Sequence, residues 1–466
     1  MKRLPYRGGN WNNAAITGVF ALNLNNARTN SNANIGARPA LEMCPKRPAY
    51  RASRQRLSQK DAHSPAKAKA RSRKTEQAGR SSSASDRSTL PPNDSEQDMA
   101  QTYTNLFEQI YDFERLHAAY RRARLGKRDR MAVLRFEQNL EGELIQLQNE
   151  LIWDEYRTGR YHRFCIYEPK PREVAALPFR DRVLQHSLVA AIEPIWERRF
   201  IADSYACRPG RGMHRGADRA QAMMRRVLRE HGQVYALKAD ISKYFASIDH
   251  GVLRQLLRRH IACPRTLVLC DQIIASTAAP DDLAPRGLPI GNLTSQLWAN
   301  VYLHELDRFA KHELRLKHYV RYMDDFVVLH HDKAALHAIR AQIEAFLRGQ
   351  LRLRTNAKTQ IFPVSSGRGR GLDFLGYHIW PTHRRLRRAS IRRIVRSLKR
   401  AQRLYAAGAI EIEHVGRSVA SWVAHARGAD TYRLRRKLLA EFAFCKAGDC
   451  SARRSKPPAP RNPHDR

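Results

Sequence analysis

Apolar residues recur with helical spacing in two segments of the chain. Residues 105–125 read NLFEQIYDFERLHAAYRRARL, and residues 136–152 read FEQNLEGELIQLQNELI. In the first segment, four apolar residues fall on one helical face: Leu106, Ile110, Phe113 and Leu116. We predict an amphipathic helix over each segment, serving either the core or a partner-binding face.

Two other apolar runs lack helical spacing and lie beside acidic residues. The run VYAL at residues 234–237 is followed by Asp240, and HYVRYMDDFVVL at residues 318–329 places Asp324 and Asp325 between two β-rich halves. We predict strands at both places, with the two adjacent aspartates at the tip of a hairpin. An isolated pair of aspartates is usually an ordinary turn, so its chemistry depends on the surrounding motifs.

The apolar pattern is missing from both ends of the chain. Residues 46–98 are rich in Arg, Lys, Ser, Ala and Pro, with almost no residues that could form a core, and we predict disorder there. Residues 1–45 are crowded with asparagine and too short to fold alone.

From Arg384 onward the pattern turns helical and very basic, and residues 447–466 are a Pro-rich, charged tail.

The charge of the chain indicates a nucleic-acid partner. Lys and Arg number 84 against 44 acidic residues, which gives a formal charge of +40 and a pI near 10.7. Such a protein repels itself unless a polyanion neutralises it. Solvated tails explain part of this surplus, but basic residues also run through the periodic region between Tyr103 and Phe444.

The cysteines and the hydropathy exclude two other classes of protein. Seven scattered cysteines, an odd number, do not make a disulfide framework and indicate a reducing compartment. No run of eighteen or more apolar residues appears, and the N-terminus has no signal-peptide core. We therefore expect a cytoplasmic protein without a membrane partner.

The acidic residues suit one kind of metal chemistry. Carboxylates on neighbouring strands provide the hard oxygen ligands that Mg²⁺ prefers. A pair of Mg²⁺ ions about 4 Å apart is the usual device for phosphoryl transfer at a nucleic-acid 3′ end. Asp240, Asp324 and Asp325 are therefore the candidate ligands of two Mg²⁺ ions.

Seven motifs in one order resemble those of reverse transcriptases. YMDD resembles their catalytic C motif and ADISKYFASID, residues 239–249, their A motif. The other five resemble two finger motifs, the B and D motifs and the primer grip: FRDRVLQH (179–186), SYACRPGRGMHRG (204–216), GLPIGNLTSQ (287–296), LRLRTNAKTQIF (351–362) and GLDFLGYHI (371–379). The resemblance covers about residues 160–445.

The resemblance implies a right-hand polymerase fold of the α+β class. We expect N-terminal helices at 99–160, fingers at 161–233, a palm with an antiparallel sheet at 234–380 and a helical thumb at 381–446. It also implies an RNA template, a DNA or cDNA primer and dNTPs as partners, and Asp240, Asp324 and Asp325 as the catalytic residues.

The resemblance further implies residues that contact the nucleotide. Phe245 matches the aromatic side chain that excludes a 2′-hydroxyl, although a plain core aromatic is the alternative. One or more of three basic residues would hold the triphosphate, and the sequence leaves the choice open: Lys170, Arg172 and Arg180. Lys358 would protonate or neutralise the leaving pyrophosphate, unless it is an ordinary surface lysine.

Other basic residues are candidates for contact with the template and primer. We expect Arg208 and Arg211 to contact the template backbone. We expect four arginines of the basic C-terminal region to bind the template-primer duplex: Arg384, Arg388, Arg392 and Arg396.

The B motif departs from the usual form of the family. It reads Ile290-Gly291-Asn292-Leu293-Thr294-Ser295-Gln296, where most reverse transcriptases have glutamine first and proline last. This form resembles the diversity-generating retroelement class. Ile290 cannot make the hydrogen bond that glutamine would make near the nascent base pair, which implies low fidelity. The resemblance also makes Ile290, Gly291 and Gln296 candidates for contact with the incoming dNTP.

The N-terminal segment resembles the same class in a different way. Residues 1–45 are similar to the end of the lectin-like target proteins that such retroelements diversify, which indicates a template repeat read as protein and a true start at Met99. An Asn-rich disordered tail is the alternative. The class implies bacterial origin, error-prone cDNA made from a template-repeat RNA for mutagenic retrohoming, and a small basic accessory protein.

Two other functions compete with this one. A group II intron-type or other bacterial reverse transcriptase would share the chemistry without adenine-directed mutagenesis. An inactive RNA-binding scaffold would share the charge, but the three aspartates and Phe245 argue against it. A small accessory subunit would dock at the helices of residues 100–155 or at the thumb.

Overall fold

The computed structural model describes residues 102–446 apart from 168–170, 279–281, 366 and 368. The predictions for residues 1–45, 46–98 and 447–466, for a start at Met99 and for Lys170 lie outside these described residues.

Four helices open the described chain where two were predicted. The first segment breaks at Asp112, where the backbone is extended. The Asp112 carboxylate caps the next helix, because it accepts a hydrogen bond from the Arg115 amide at 3.0 Å. The second segment breaks after Glu137. Leu106, Ile110 and Leu116 are buried and Phe113 is half-buried, so of the two predicted roles this face serves the core. The helices are α1 (Phe107–Tyr111), α2 (Phe113–Ala123), α3 (Met131–Glu137) and α4 (Leu140–Ile152).

A short hairpin and two long helices follow. Strands β1 (His162–Ile166) and β2 (Arg172–Ala176) pair in antiparallel fashion. Helix α5 (Phe179–Glu197) is buried around most of its circumference, because α2 packs on one side of it and a helix of the central region on another. Helix α6 (Met213–His231) buries one face and exposes a basic one.

The central sheet has four antiparallel strands in the order β4-β5-β3-β6. They are β3 (Tyr235–Ala239), β4 (Tyr319–Tyr322), β5 (Asp325–His330) and β6 (Gln360–Pro363). Both predicted runs are therefore strands. The sheet is covered on both sides: Leu237 and Val328 belong to one hydrophobic cluster, while Ala236 and Val327 belong to the other. This explains why the sequence shows continuous apolar runs rather than alternation.

Helices between these strands cover one face of the sheet. The helix over Leu293–Arg308, α10, begins within the predicted B motif and continues into a π-helical turn at Phe309–Glu313. The helices are α7 (Tyr244–Ser247), α8 (His250–Arg258), α9 (Pro264–Ala275), α10 (Leu293–Arg308) and α11 (Lys333–Gln350).

The C-terminal region combines a second sheet with three helices. Strands β7 (Leu372–Phe374), β8 (Tyr377–Ile379) and β9 (Arg384–Leu386) form a three-stranded antiparallel sheet. The prediction of helix from Arg384 was wrong for Arg384–Leu386, which form β9, because the helix begins only at Arg388. The helices are α12 (Arg388–Ala406), α13 (Ile412–Ala426) and α14 (Tyr432–Ala440).

The described chain is thus a mixture of helices and antiparallel sheets, as predicted. Ile394, Leu398, Trp422 and Leu438 of the last helices join the cluster on the second face of the central sheet. None of the helices between residues 102 and 446 is long and apolar enough to span a membrane.

Candidate active site

The two adjacent aspartates lie at a tight turn between β4 and β5. Tyr322 pairs with Asp325, so Met323 and Asp324 alone form the connection. Met323 has a φ of 57°, a left-handed conformation that costs about 1–2 kcal/mol for a residue with a side chain. Strain of this kind persists only where the surrounding contacts hold it. The turn presents Asp324 at the tip of the hairpin, as predicted.

The third aspartate reaches the same place from the neighbouring strand. Ala239 of β3 pairs with Phe326 of β5, so the register brings Asp240, the next residue, beside Asp325. The loop of the predicted D motif is bound there too. The Asn356 amide donates to the Asp240 carbonyl oxygen at 2.7 Å, and Asn356 Nδ2 donates to Asp240 Oδ2 at 3.4 Å.

The electrostatics of the three carboxyl groups show that they act on one another. Burial raises the pKa of Asp324 to about 7, and the charges of Asp240 and Asp325 add to this effect. The pKa of Asp325 is also raised, mainly by burial, against the lowering effect of Lys238. The cluster is therefore a place where negative charge is confined and only partly compensated.

This donor set fits a divalent cation. Within the described residues, no three or more His, Cys, Asp or Glu side chains are already gathered in the arrangement of a bound metal. Asp240, Asp324 and Asp325 are nevertheless all carboxylates, at adjoining strand ends, and they repel one another. A hard dication would relieve that repulsion, so the chemistry of the site suits Mg²⁺.

The predicted A and B motifs are joined next to the aspartates. Phe245 is half-buried on α7, with its ring 5.7 Å from that of Tyr244, and its carbonyl oxygen accepts a hydrogen bond from the Leu288 amide at 2.7 Å. The segment that leads to Ile290 is thus tied to the segment that follows Asp240.

Gly291 occupies a position that only glycine fits. Its φ is 127°, and a Cβ there would lie 2.8 Å from the carbonyl oxygen of Ala175 on β2. The neighbouring Ile290 carbonyl accepts a hydrogen bond from the Ala175 amide at 2.9 Å. Ile290 and Gln296 are both half-buried. The B motif therefore lies directly against the β1–β2 hairpin.

The candidates for binding the triphosphate differ in their surroundings. Arg172 is an exposed residue of β2, and it is near enough for its charge to lower the pKa of Asp324. Lys358 is exposed, two residues beyond Asn356. Arg180 instead forms an ion pair with Glu150 and lies over the Tyr156 ring, 5.7 Å from its centroid. This internal pairing corrects the prediction for Arg180.

Two of the predicted template contacts also prove to be internal. Arg208 is 3% exposed; its guanidinium donates to Glu197 at 3.0 Å and to the Ile201 carbonyl at 2.7 Å. Arg384 donates to Gln221 at 2.9 Å and pairs with Asp218. These internal partners argue against the predicted contacts with nucleic acid for both side chains.

The remaining basic candidates are on the surface. Arg211 is half-buried, with its guanidinium 5.8 Å from the Tyr205 ring centroid. Arg388, Arg392 and Arg396 are all exposed and repeat every four residues along α12, which places them on one face. Their contact with template-primer stays a prediction.

The sequence interpretation passed over a charged pair behind the turn. Arg321 of β4 and Asp307 of α10 are both fully buried, 2.6 Å apart between Nη2 and Oδ2. Arg321 Nη1 also donates to the Met323 carbonyl at 2.9 Å. The only available signal was an arginine in the middle of an apolar strand, between Val320 and Tyr322.

Comparisons with known proteins agree with this architecture. Residues 168–379 match the family described as reverse transcriptase (RNA-dependent DNA polymerase). Protein YkfC of Escherichia coli K12 is 28% identical over 279 residues, which are 50% of this chain and 72% of YkfC. The group II intron-encoded protein LtrA of Lactococcus lactis is 28% identical over 152 residues, 32% of this chain but only 24% of LtrA.

Two further similarities are more limited. The mitochondrial nuclear intron maturase 2 of Arabidopsis thaliana is 29% identical over 25% of this chain and 17% of its own length. The apo telomerase of Candida tropicalis covers 62% of this chain and 60% of its own, with a TM-score of 0.39 and 9% identity. Residues 168–379 thus match a reverse transcriptase domain, and the chain is similar in sequence to Protein YkfC and to proteins encoded by group II introns.

Proposed function

We propose that the chain copies RNA into DNA with Asp240, Asp324 and Asp325 as its catalytic metal ligands. The observation that carries this proposal is the convergence of three mutually repelling carboxylates at adjoining ends of β3 and β5. The β1–β2 hairpin with α5 and α6 would then be the fingers. The four-stranded sheet with its helices would be the palm, and α12 to α14 the thumb.

The chemistry follows from this placement. When bound, two Mg²⁺ ions would supply activation of the primer 3′-hydroxyl and stabilisation of the leaving pyrophosphate. Asp240 and Asp324 would hold the ions, and Asp325 would support them. Arg172 and Lys358 would receive phosphate oxygens, and the Phe245 ring would border the sugar and exclude a 2′-hydroxyl.

Primer extension on an RNA template tests this proposal. The wild type should extend a DNA primer with dNTPs in the presence of Mg²⁺, and Asp324→Asn should lose that activity while it binds template-primer almost as well, because it removes a metal ligand and not a phosphate contact. Asp129→Asn is a matched control, since Asp129 is exposed on a turn far from the sheet in sequence. Substantial cDNA synthesis by Asp324→Asn would show that the wrong acid is assigned.

We infer further that the polymerase is of the diversity-generating kind. The support is local: Ile290, an apolar side chain, stands beside the predicted nucleotide site, with its backbone fixed against Ala175. An isoleucine cannot offer the polar check that a glutamine would, so mispairs would be rejected less strictly. The similarity of residues 1–45 to a template repeat is the second support.

Sequencing of cDNA made on one adenine-rich RNA tests this inference. The wild type should misincorporate far more often opposite adenine than opposite the other bases. Ile290→Gln should lower that error by up to about tenfold, the equivalent of one neutral hydrogen bond. Ile290→Leu is the matched control, because it stays apolar and should keep the error.

A group II intron-type enzyme remains the second candidate, and the similarity to LtrA favours it. It shares the proposed metal site and differs in fidelity. Equal and low error at all four template bases in the wild-type enzyme would select this candidate and remove the diversity-generating one.

A protein partner is also part of the proposal. The N-terminal helices and the loops that end them expose large apolar side chains, which a small accessory subunit would cover: Leu125, Met131, Leu134, Ile145 and Trp153. Replacement of Met131 and Trp153, which are 63% and 72% exposed, by serine should weaken copurification of that subunit without loss of primer extension.

A further inference from the structure

The ion pair behind the catalytic turn is complete in its hydrogen bonds. Arg321 Nε donates to Asp307 Oδ1 at 2.7 Å, and Nη2 donates to Oδ2 at 2.6 Å. The Tyr319 hydroxyl donates to Oδ1 of the same carboxylate at 2.8 Å. Both charged side chains are 0% exposed. Burial of this depth requires such bonding, because an uncompensated charge would not be tolerated there.

Stability alone is a weak reason for this pair. A buried ion pair must overcome the loss of hydration of both groups, and its replacement by apolar residues of similar volume is often neutral or stabilising. Apart from the Tyr319 hydroxyl and the Asn300 amide, the surroundings would accept such residues, since the rings of Tyr319 and Phe326 belong to the hydrophobic cluster on that face. The pair therefore calls for another role.

One nitrogen of the guanidinium, Nη1, makes no hydrogen bond to Asp307. Arg321 Nη1 donates to the carbonyl oxygen of Met323 at 2.9 Å and to Asn300 Oδ1 at 3.3 Å. Met323 is the left-handed residue of the turn that carries Asp324. Asp307 and Asn300 both lie on α10. The side chain thus connects the strained turn to a long buried helix.

The backbone of Arg321 is held as firmly as its side chain. Its amide donates to the Asp203 carbonyl at 3.0 Å, and its own carbonyl accepts a hydrogen bond from the Tyr205 amide at 3.0 Å. Because Arg321 is held by its backbone and by its bonds to Asp307, its guanidinium can fix the position of the Met323 carbonyl rather than follow it.

We propose that Arg321 is a positioning residue of the polymerase, which holds the Met323 carbonyl so that Asp324 and Asp325 stay in register with Asp240. This inference rests on the proposed function of those aspartates. Metal ligands must be held close to their productive geometry, and a displacement of about 1 Å can reduce turnover by about 100-fold.

A double variant separates positioning from stability. Asp307→Leu combined with Arg321→Met removes both charges and leaves no buried ion unpaired, so the protein should fold with a Tm within about 5 °C of the wild type. Without the donor to Met323, kcat should fall by about 10- to 100-fold, and the Mg²⁺ concentration for half-maximal rate should rise. KM for dNTP and template-primer affinity should change little.

Tyr319→Phe is the matched control. It removes a hydrogen bond to Asp307 from the same buried cluster but leaves the contact between Arg321 and Met323 in place. Its kcat and Mg²⁺ requirement should equal those of the wild type. Equal losses in the control and in the double variant would assign the effect to the cluster as a whole and overturn the proposal.

Arg321→Lys gives an independent reading. A lysine keeps the charge beside Asp307, but a single ammonium group cannot reproduce the planar set of donors that reaches both Asp307 and the turn. It should show the same decrease in kcat and the same higher Mg²⁺ requirement in a folded protein.

Wild-type kcat in either folded variant would overturn the proposal, and loss of folding in both would assign the pair to stability and overturn it as well. Failure of the proposed function has a different signature, because the wild type itself would then lack Mg²⁺-dependent extension.

Discussion

Two buried acidic sites meet at the β4–β5 hairpin, and they are built in opposite ways. Asp307 receives two hydrogen bonds from Arg321 and one from Tyr319, so its charge is compensated within the protein. Asp324 has two other carboxylates as its electrostatic neighbours, and its pKa is raised to about 7. One site already contains its cation, and in the proposed function the other receives one from outside.

The arginines show the same division. Arg208 and Arg384 are fixed by carboxylates and carbonyl groups of the chain itself. Arg388 and Arg392 on α12 face solvent. In a protein of charge +40, the compensated charges have their partners inside the fold, and we propose that the uncompensated ones are where a ligand binds.

The largest expected effect is at the compensated site. Asp307→Ala leaves the Arg321 charge buried without its partner, which costs about 3–5 kcal/mol. Chemical denaturation should show this loss as a lower free energy of unfolding. A variant as stable as the wild type would mean that water or another group replaces the carboxylate, and the contrast between the two sites would fail.

An effect of opposite sign is expected at the uncompensated site. Because burial and like charges raise the pKa of Asp324 above its ordinary value, the ionised carboxylate opposes folding at neutral pH. Asp324→Asn should therefore raise the free energy of unfolding by about 1–3 kcal/mol at pH 8 in EDTA. The gain should shrink when Mg²⁺ saturates the wild type. A destabilised Asn variant in EDTA would contradict this reading.

The smallest effect on stability is expected on α12. Replacement of Arg388, Arg392 and Arg396 by glutamine should change the free energy of unfolding by less than about 0.5 kcal/mol, since the side chains are exposed. The salt dependence of template-primer binding should instead flatten by about two to three units of slope. Arg384→Gln, the matched control, should lower stability and leave that slope unchanged.

Much of the fold could be predicted because the signals are local. The strand before Asp240 and the β4–β5 hairpin with Asp324 at its tip follow from short apolar runs next to acidic residues. The helix over residues 105–125 was predicted as one, but Asp112 divides it, since a capping aspartate can also stand on the polar face of a continuous helix. Only the structure decides between these two roles.

The partners of charged side chains could not be predicted. Arg384 and Arg388 look alike in the sequence, yet Asp218, 166 positions away in the chain, pairs with the first and not with the second. Arg321 was missed for the same reason, because its partner Asp307 is placed by the packing of α10 behind the hairpin. Which charges are paired depends on the tertiary structure, and composition gives only the net charge.

The close approach of Gly291 to β2 has a mechanical consequence. The Ala175 amide is bonded to the Ile290 carbonyl at 2.9 Å, and no side chain separates the two backbones. A movement of the β1–β2 hairpin must therefore either break this bond or carry Ile290 with it. If the hairpin binds the nucleotide and Ile290 sets fidelity, as proposed, movement of the hairpin and tolerance of a mispaired base would be coupled through this one peptide group.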